Sequence, residues 1–378
     1  MEITVINFFS VFLTLLYAGV VLFLRRGWVL IPEYVKEKAQ QPGTKVSILI
    51  AARNEEDNIA HTISDILAQD YPEELLELIV IDDHSTDSTS AVVRSFTDSR
   101  VKLIVLNEKE KLNSYKKKAI SEAINVATGE LIVTTDADCR MHNKWLATVV
   151  SFYEDNRLKL VSSPVVYHQE KSFFEKLQTL EFLYLIGLGA ASIGNKKAST
   201  CNGANLAYRR DVFIELGGFK GIDDLASGDD ELFLHKVASR YPEGIGFCKS
   251  YEAVVFTTAK SNLKSFISQR KRWASKSTRY KDKKIVLMGL SIWFFNLSIL
   301  VNASLGFYDP LYWAVAFFSI VLKYLAEIAF LLPVTQFARR KELIYYLPLL
   351  TVIHSLYIVY IGIAGNSGKY IWKDRLVR

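Results

Sequence analysis

Four long apolar segments constrain this chain more than anything else in its sequence. Residues 3–24 are apolar apart from Asn7, Ser10 and Thr14, and three further runs, at about 285–305, 311–332 and 343–363, close the sequence. Each approaches the ~20 residues with which a helix crosses the bilayer hydrocarbon. Backbone polar groups find no partner in lipid, so such segments must be helices. Arg25 and Arg26 follow the first segment. A secretory leader carries its positive charge before the apolar run and small residues after it; here the order is reversed, which predicts an uncleaved helix with a cytoplasmic C-terminal end. The clusters Lys281, Lys283, Lys284 and Arg339, Arg340, Lys341 fit the same side. The basic tail does not. An odd number of closing spans puts Lys369, Lys373, Arg375 and Arg378 outside, so one segment is re-entrant or interfacial, or the charge rule fails there. Lys323 and Glu327 stand four apart in the third segment, a spacing that predicts a pair facing protein rather than lipid.

The expected organisation is a membrane helix over 1–26, a linker over 27–44 with Pro32, Pro42 and Gly43, a cytoplasmic domain over 45–280, and a membrane domain over 281–378. The architecture suggests a bacterial plasma membrane. Three widely spaced cysteines without a C-x-x-C pair indicate neither a disulfide framework nor a zinc site. The net charge of +6 is concentrated beside the apolar segments, which suits membrane flanks and not a nucleic-acid footprint.

Inside 45–280 the apolar period alternates. Short continuous runs at 46–51, 76–81, 101–106 and 131–135 read as buried strands. Between them, 54–69, 89–96 and 116–127 carry helical spacing, the last closed by Gly129. This predicts an α/β fold with a mostly parallel sheet, in which ligands sit beyond the carboxyl ends of the strands. Residues 161–166 read as a further strand. Residues 173–193 form an aromatic-rich helix whose Glu, Lys and Gln argue against spanning; it lies on the membrane surface or in the core.

Three strand ends carry polar clusters: AARNEE at 51–56, Asp82-Asp83, and Asp136-x-Asp138. If the chain stays extended after 131–135, residues two apart project to one side. Two carboxylates placed so can hold Mg²⁺, whose shell is completed by water and substrate phosphate. The bland alternative is a capped turn. Further on, Gly228-Asp229-Asp230 opens a helix, where the dipole favours carboxylates. Gln269, Arg272 and Trp273 share a helix face: guanidiniums suit a diphosphate and an indole suits a sugar ring, while a basic juxtamembrane helix is the competing reading.

From 46 to 273 these residues, in this order, resemble the membrane-bound family 2 glycosyltransferases that carry the Q-x-x-R-W motif, a group with cellulose, chitin and hyaluronan synthases and ceramide glucosyltransferases. The resemblance implies a GT-A fold, which is Rossmann-like, plus transmembrane helices. Ala51, Arg53 and Glu55 would lie on the first nucleotide-binding loop. Asp82 and Asp83 would face uracil and ribose, with Asp83 accepting from the base N3–H. Lys118 would lie near the donor phosphates. Asp138, with Asp136, would hold Mg²⁺ or Mn²⁺. Asn205, in Asn202-Gly-Ala-Asn205, would lie near donor sugar and acceptor. Gly228-Asp-Asp230 stands where the family has T-E-D, which leaves the general base between Asp229 and Asp230 and favours Asp230. Gln269, Arg270 and Arg272 would meet the leaving diphosphate, and Trp273 the acceptor.

The implied function is inverting transfer of a sugar from a nucleotide diphosphate sugar, UDP-linked by preference, to a lipid or glycan acceptor at the membrane. A processive polysaccharide synthase is the nearest alternative, but four apolar segments are few to line a polymer channel. A non-catalytic scaffold would have lost its acids. A nucleotidyltransferase would not account for Trp273 or the apolar segments.

Overall fold

In a computed structural model, residues 5–36, 42–107, 114–276, 280, 282–365, 370–372 and 375–377 are described. In chain order the elements are α1 (Val5–Leu30), β1 (Val46–Ala52), α2 (Ile59–Leu67), β2 (Leu76–Asp82), α3 (Thr89–Arg94), β3 (Val101–Val105), α4 (Tyr115–Val126), β4 (Leu131–Thr134), β5 (Arg140–Met141), α5 (Trp145–Asn156), β6 (Leu160–Ser162), β7 (Val165–Tyr167), α6 (Phe173–Gly194), β8 (Leu206–Arg209), α7 (Arg210–Glu215), α8 (Glu231–Arg240), β9 (Ile245–Phe247), β10 (Val255–Thr257), α9 (Leu263–Ser275), α10 (Lys283–Leu305), α11 (Pro310–Phe337), α12 (Leu347–Ala364), β11 (Tyr370–Trp372) and β12 (Arg375–Val377). They group into two compact units.

The larger unit comprises Leu30–Gln169, Ser192–Thr258 and Lys369–Arg378. Its sheet has seven strands in the order β3-β2-β1-β4-β8-β6-β9. β1, β2, β3 and β4 are mutually parallel neighbours, β8 runs antiparallel between β4 and β6, and β6 pairs in parallel with β9. The α/β class with a mainly parallel sheet is therefore as expected. β2 and β4 are buried throughout and β1 nearly so, which is why their sequences run apolar without alternation. Glu77 is the polar exception inside β2. Its carboxylate accepts from Ser47, from Lys102 at 2.7 Å and from the Thr128 N–H at 2.6 Å, joining three strands. The order reverses between β1 and β4, the position at which α/β sheets bind ligands. The expected strand at 161–166 is two short strands, because Ser163-Pro164 interrupts it; β7 joins a separate sheet, β5-β10-β7.

The second unit comprises Met1–Val29, Glu170–Ala191 and Ala259–Gly368. The contact grouping thus divides the expected 45–280 stretch and places α6 and α9 with the apolar helices. α1 continues past Arg25-Arg26 to Leu30, and the three closing segments form α10, α11 and α12. Among the described residues, five helices are long and apolar enough to cross a membrane, α6 among them. α6 is packed inside this unit: Leu180, Phe182 and Leu183 are buried, and a side chain on Gly187 would collide with Val334 and Phe330 of α11. Lys323 and Glu327 are both buried and pair at 3.6 Å. Tyr17 donates to Glu327 at 2.6 Å, Thr351 donates to it at 2.9 Å, and Lys323 donates to the Thr351 carbonyl. Every charge in that cluster has a partner, as apolar surroundings require.

Candidate active site

The loops after β1 and β2 are laced together. Arg53 donates to the Asp83 carbonyl at 3.0 Å and to that of His84. The Thr86 N–H reaches Asn54 Oδ1 at 2.8 Å, and the Ser88 N–H reaches Glu56 at 2.8 Å. Asn54 and His84 both hold positive φ, 50° and 57°. Such backbone costs of order 1 kcal/mol for a non-glycine residue and concentrates at functional loops. Asp82 accepts from the Ser85 N–H at 2.8 Å and from the Ser90 hydroxyl, so it shapes the loop. The Asp83 carboxylate is buried and meets His84 Nδ1 at 3.0 Å. Ala51 is half-buried on β1, and the half-buried Glu55 accepts from Asn58.

After β4 the chain stays in register only through Thr135, whose N–H reaches the Leu49 carbonyl. A turn then closes from the Cys139 N–H to the Asp136 carbonyl. The expected extended conformation therefore ends earlier than the acids. Both still face one way: Asp136 and Asp138 are half-exposed, while Thr135, Ala137 and Cys139 are buried. Thr62 of α2 donates to the carbonyls of Ala137 and Cys139 at 2.8 Å each and pins the turn.

The structure separates the three lysines at the start of α4. Lys116 donates to Asp136 at 2.8 Å and lies 3.4 Å from Asp229. Burial, the largest influence, lowers its pKa, but Asp136 and then Asp229 outweigh it and the net shift is upward. Lys118, the expected phosphate ligand, instead pairs with Glu122 one turn along its own helix. Adjacent helix positions point about 100° apart, so only one of the three can reach the carboxylates.

The Asn202-Gly-Ala-Asn205 turn supports the acid pair. The Gly203 N–H donates to Asp230 Oδ2 at 3.0 Å, and the Glu231 N–H donates to Oδ1 at 2.6 Å. The Gly203 carbonyl is held by Thr134 of β4 at 2.8 Å. Asp230 also caps α8, so a helix-capping role and exposure at a site coexist. Gly228 holds φ +84° just before the acids, in the left-handed region where a side chain is disfavoured. Asn205, expected near the acceptor, is turned into the protein interior. Its amide is buried, accepting from Trp145 Nε1 at 3.0 Å and donating to the carbonyls of Pro164 and Ala253 at 2.8 Å each.

Lys116 thus joins Asp136 of the turn to Asp229, which precedes Asp230. Among the described residues no cluster of three or more metal-ligating side chains occurs. The donor set fits a hard cation held by one or two carboxylates, here Asp138 and Asp136, with substrate oxygens and water completing the shell. Lys116, Gly203 and Thr134 were missed from sequence; the lysine run was the visible signal, without a way to choose among its members.

The Q-x-x-R-W segment lies on α9, in the second unit. Arg270 is buried and forms a two-pronged pair with Glu181 of α6, Nε at 3.0 Å. Its guanidinium lies over the Trp273 ring at 4.3 Å and the Phe266 ring at 4.5 Å. Arg270 is therefore committed within the helix bundle instead of being presented to a diphosphate. Gln269 accepts from Arg270, Trp273 packs toward Phe182, and Arg272 is half-buried.

Residues 47–217 match the profile of the family described as "Glycosyl transferase family 2". Over those residues the chain is similar to that family. Among curated proteins, it is similar to glycosyltransferase AglE of Haloferax volcanii, 29% identical over 49% of this chain and 58% of the relative. It is also similar to a beta-monoglucosyldiacylglycerol synthase of Nostoc sp., 25% identical over 66% of this chain and 53% of the relative. The chain thus spans just over half the length of these two relatives. Among solved structures, a mannosyltransferase from Pyrobaculum calidifontis, in complex with GDP-Man and Mn²⁺, aligns with 93% of this chain and 99% of its own at a TM-score of 0.60 and 22% identity. That likeness establishes the fold, which is GT-A-like.

Proposed function

We propose that the chain is an inverting, metal-dependent glycosyltransferase that moves one sugar from a nucleotide diphosphate sugar to a lipid or lipid-linked acceptor at a membrane. The observation that carries this reading is Lys116, bridging Asp136 of the D-x-D turn and Asp229 beside Asp230. One ammonium joins the element suited to a diphosphate with the element suited to a base. The likeness to family 2 and the five apolar helices support transfer near lipid.

The donor nucleotide lies against the loops after β1 and β2, with Asp83 facing its base; a uridine donor is preferred. Asp138 and Asp136 would hold Mg²⁺ or Mn²⁺, which would neutralise charge on the diphosphate. Lys116 turns from Asp136 toward the phosphates. Asp230 takes the proton of the acceptor hydroxyl as the new oxygen–carbon bond forms at the anomeric carbon. The nucleoside diphosphate leaves on the opposite face with the electron pair of the broken bond. Two lone-pair positions of the Asp230 carboxylate accept backbone N–H bonds, which fixes its plane. Arg270 supports the Q-x-x-R-W helix through Glu181.

The test uses detergent-solubilised protein, UDP- and GDP-sugars, Mg²⁺ or Mn²⁺, and added membrane lipid. Chelator-sensitive nucleotide release from one donor, increased by lipid and giving a single added sugar, is the expected result. A product ladder would indicate processive synthesis. Binding of donor without release under any condition would favour a non-catalytic role.

A further inference from the structure

Lys117 is 1% exposed, although lysine is among the residues least often buried. It is neighbour to Lys116 on α4 but points elsewhere. Its Nζ donates to three backbone carbonyls, Ile222 at 2.6 Å, Leu225 at 2.7 Å and Ser227 at 2.8 Å. Those residues are buried in a segment that belongs to no helix or strand, so their carbonyls cannot be satisfied by a regular ladder. An ammonium has three N–H groups, and all three are used. None remains for a phosphate.

We infer that Lys117 is a positioning residue that clamps the 222–227 segment and thereby sets where Gly228-Asp229-Asp230 stands against Lys116 and Gly203. One turn of α4 grips this stretch twice: Lys117 holds its backbone, and Lys116, one residue earlier, meets the Asp229 side chain. Gly228 lies between clamp and acids, and its φ of +84° turns the chain from one to the other. A cleft of about 460 Å³, bordered by Lys117, Lys118, Ser114, Phe213, Gly218 and Phe219, opens beside the clamp. This inference rests on the transferase reading only for its kinetic consequence; the clamp itself is a structural statement.

The test compares Lys117→Met, which keeps the chain length and removes every donor, with Lys117→Ala supplied with ethylammonium through the cleft. In Lys117→Met, kcat should fall about 100-fold, because misplacing a reacting group by about 1 Å has that effect. The donor KM and the affinity for nucleoside diphosphate should change less than about threefold, since the donor loops and Asp138 are untouched. Hydrogen exchange should rise in peptides covering 222–230 and stay unchanged in β1, β2 and β4. Ethylammonium should restore at least part of the lost kcat in Lys117→Ala, whereas a bulky amine should not. Unchanged exchange in 222–230 would overturn the clamp. So would nucleotide affinity lost in step with kcat, which would make Lys117 a donor ligand. If Lys117→Met does not fold, Lys117→Ala with and without the amine decides by the same exchange readout. A wild-type chain that turns over no nucleotide sugar would contradict the transferase reading, and exchange would then judge the clamp alone.

Discussion

The Gly203 N–H donates to the Asp230 carboxylate at 3.0 Å, and a methyl group on Gly203 would stand 3.3 Å from the Asp230 Cβ and 3.4 Å from Asp229 Oδ2. The turn and the acid pair are packed with no room between them. Gly203 is thus required for close approach and not for an unusual φ. Gly203→Ala should push the acids outward and lower kcat of order tenfold, with a modest loss of stability, about 1 kcal/mol. Initial rates and thermal unfolding measured on the same preparation would separate the two effects. A normal kcat would mean that the acid pair tolerates displacement.

Lys116 is held by two site carboxylates, Asp136 and Asp229. Lys116→Ala removes the counter-charge between Asp136 and Asp229 and the ammonium assigned to the phosphates. kcat/KM should fall by about 100-fold or more, far beyond the effect of Lys118→Ala. Steady-state kinetics of both variants check this, and an equal loss in the two would contradict the assignment.

Much of the fold was legible in the sequence, and for plain reasons. β1, β2 and β4 are buried on both faces, so each appears as a largely apolar run, interrupted only by Ser47 in β1 and Glu77 in β2 before its polar end. The pairing of Lys323 with Glu327 was legible because an isolated charge inside an apolar helix is too costly to keep. The choice among Lys116, Lys117 and Lys118 was not legible. Identical side chains on successive helix positions are sorted only by which way the helix is rotated. Asn205 and Arg270 were misread for a related reason. A motif shows residue type, but not whether the side chain is turned inward to Trp145 or Glu181.

Acid should weaken the sheet through Glu77. Burial, the largest influence, acts to raise its pKa, but bonds from Lys102, Ser47 and Thr128 overcome it and hold the carboxyl at about 2. The folded value lies below the unfolded one, near 4.3. The stabilisation is therefore complete above the unfolded value and is lost as pH falls toward 2. It is of order 1 kcal/mol after screening at this partly solvated position. Melting temperatures between pH 6 and 3 should fall more steeply for wild type than for Glu77→Gln, which should start lower at neutral pH. Parallel curves would show that Glu77 does not set the acid sensitivity.

The most direct test of the central claim is Asp230→Asn, assayed for sugar transfer and for nucleoside diphosphate binding in one preparation. Asparagine keeps the shape and can still accept the N–H bonds of Gly203 and Glu231 through its oxygen, but it cannot take a proton. Transfer should fall by about 1,000-fold or more, while nucleotide binding stays within about threefold. Retained transfer, or binding lost together with transfer, would contradict Asp230 as the base that faces the acceptor.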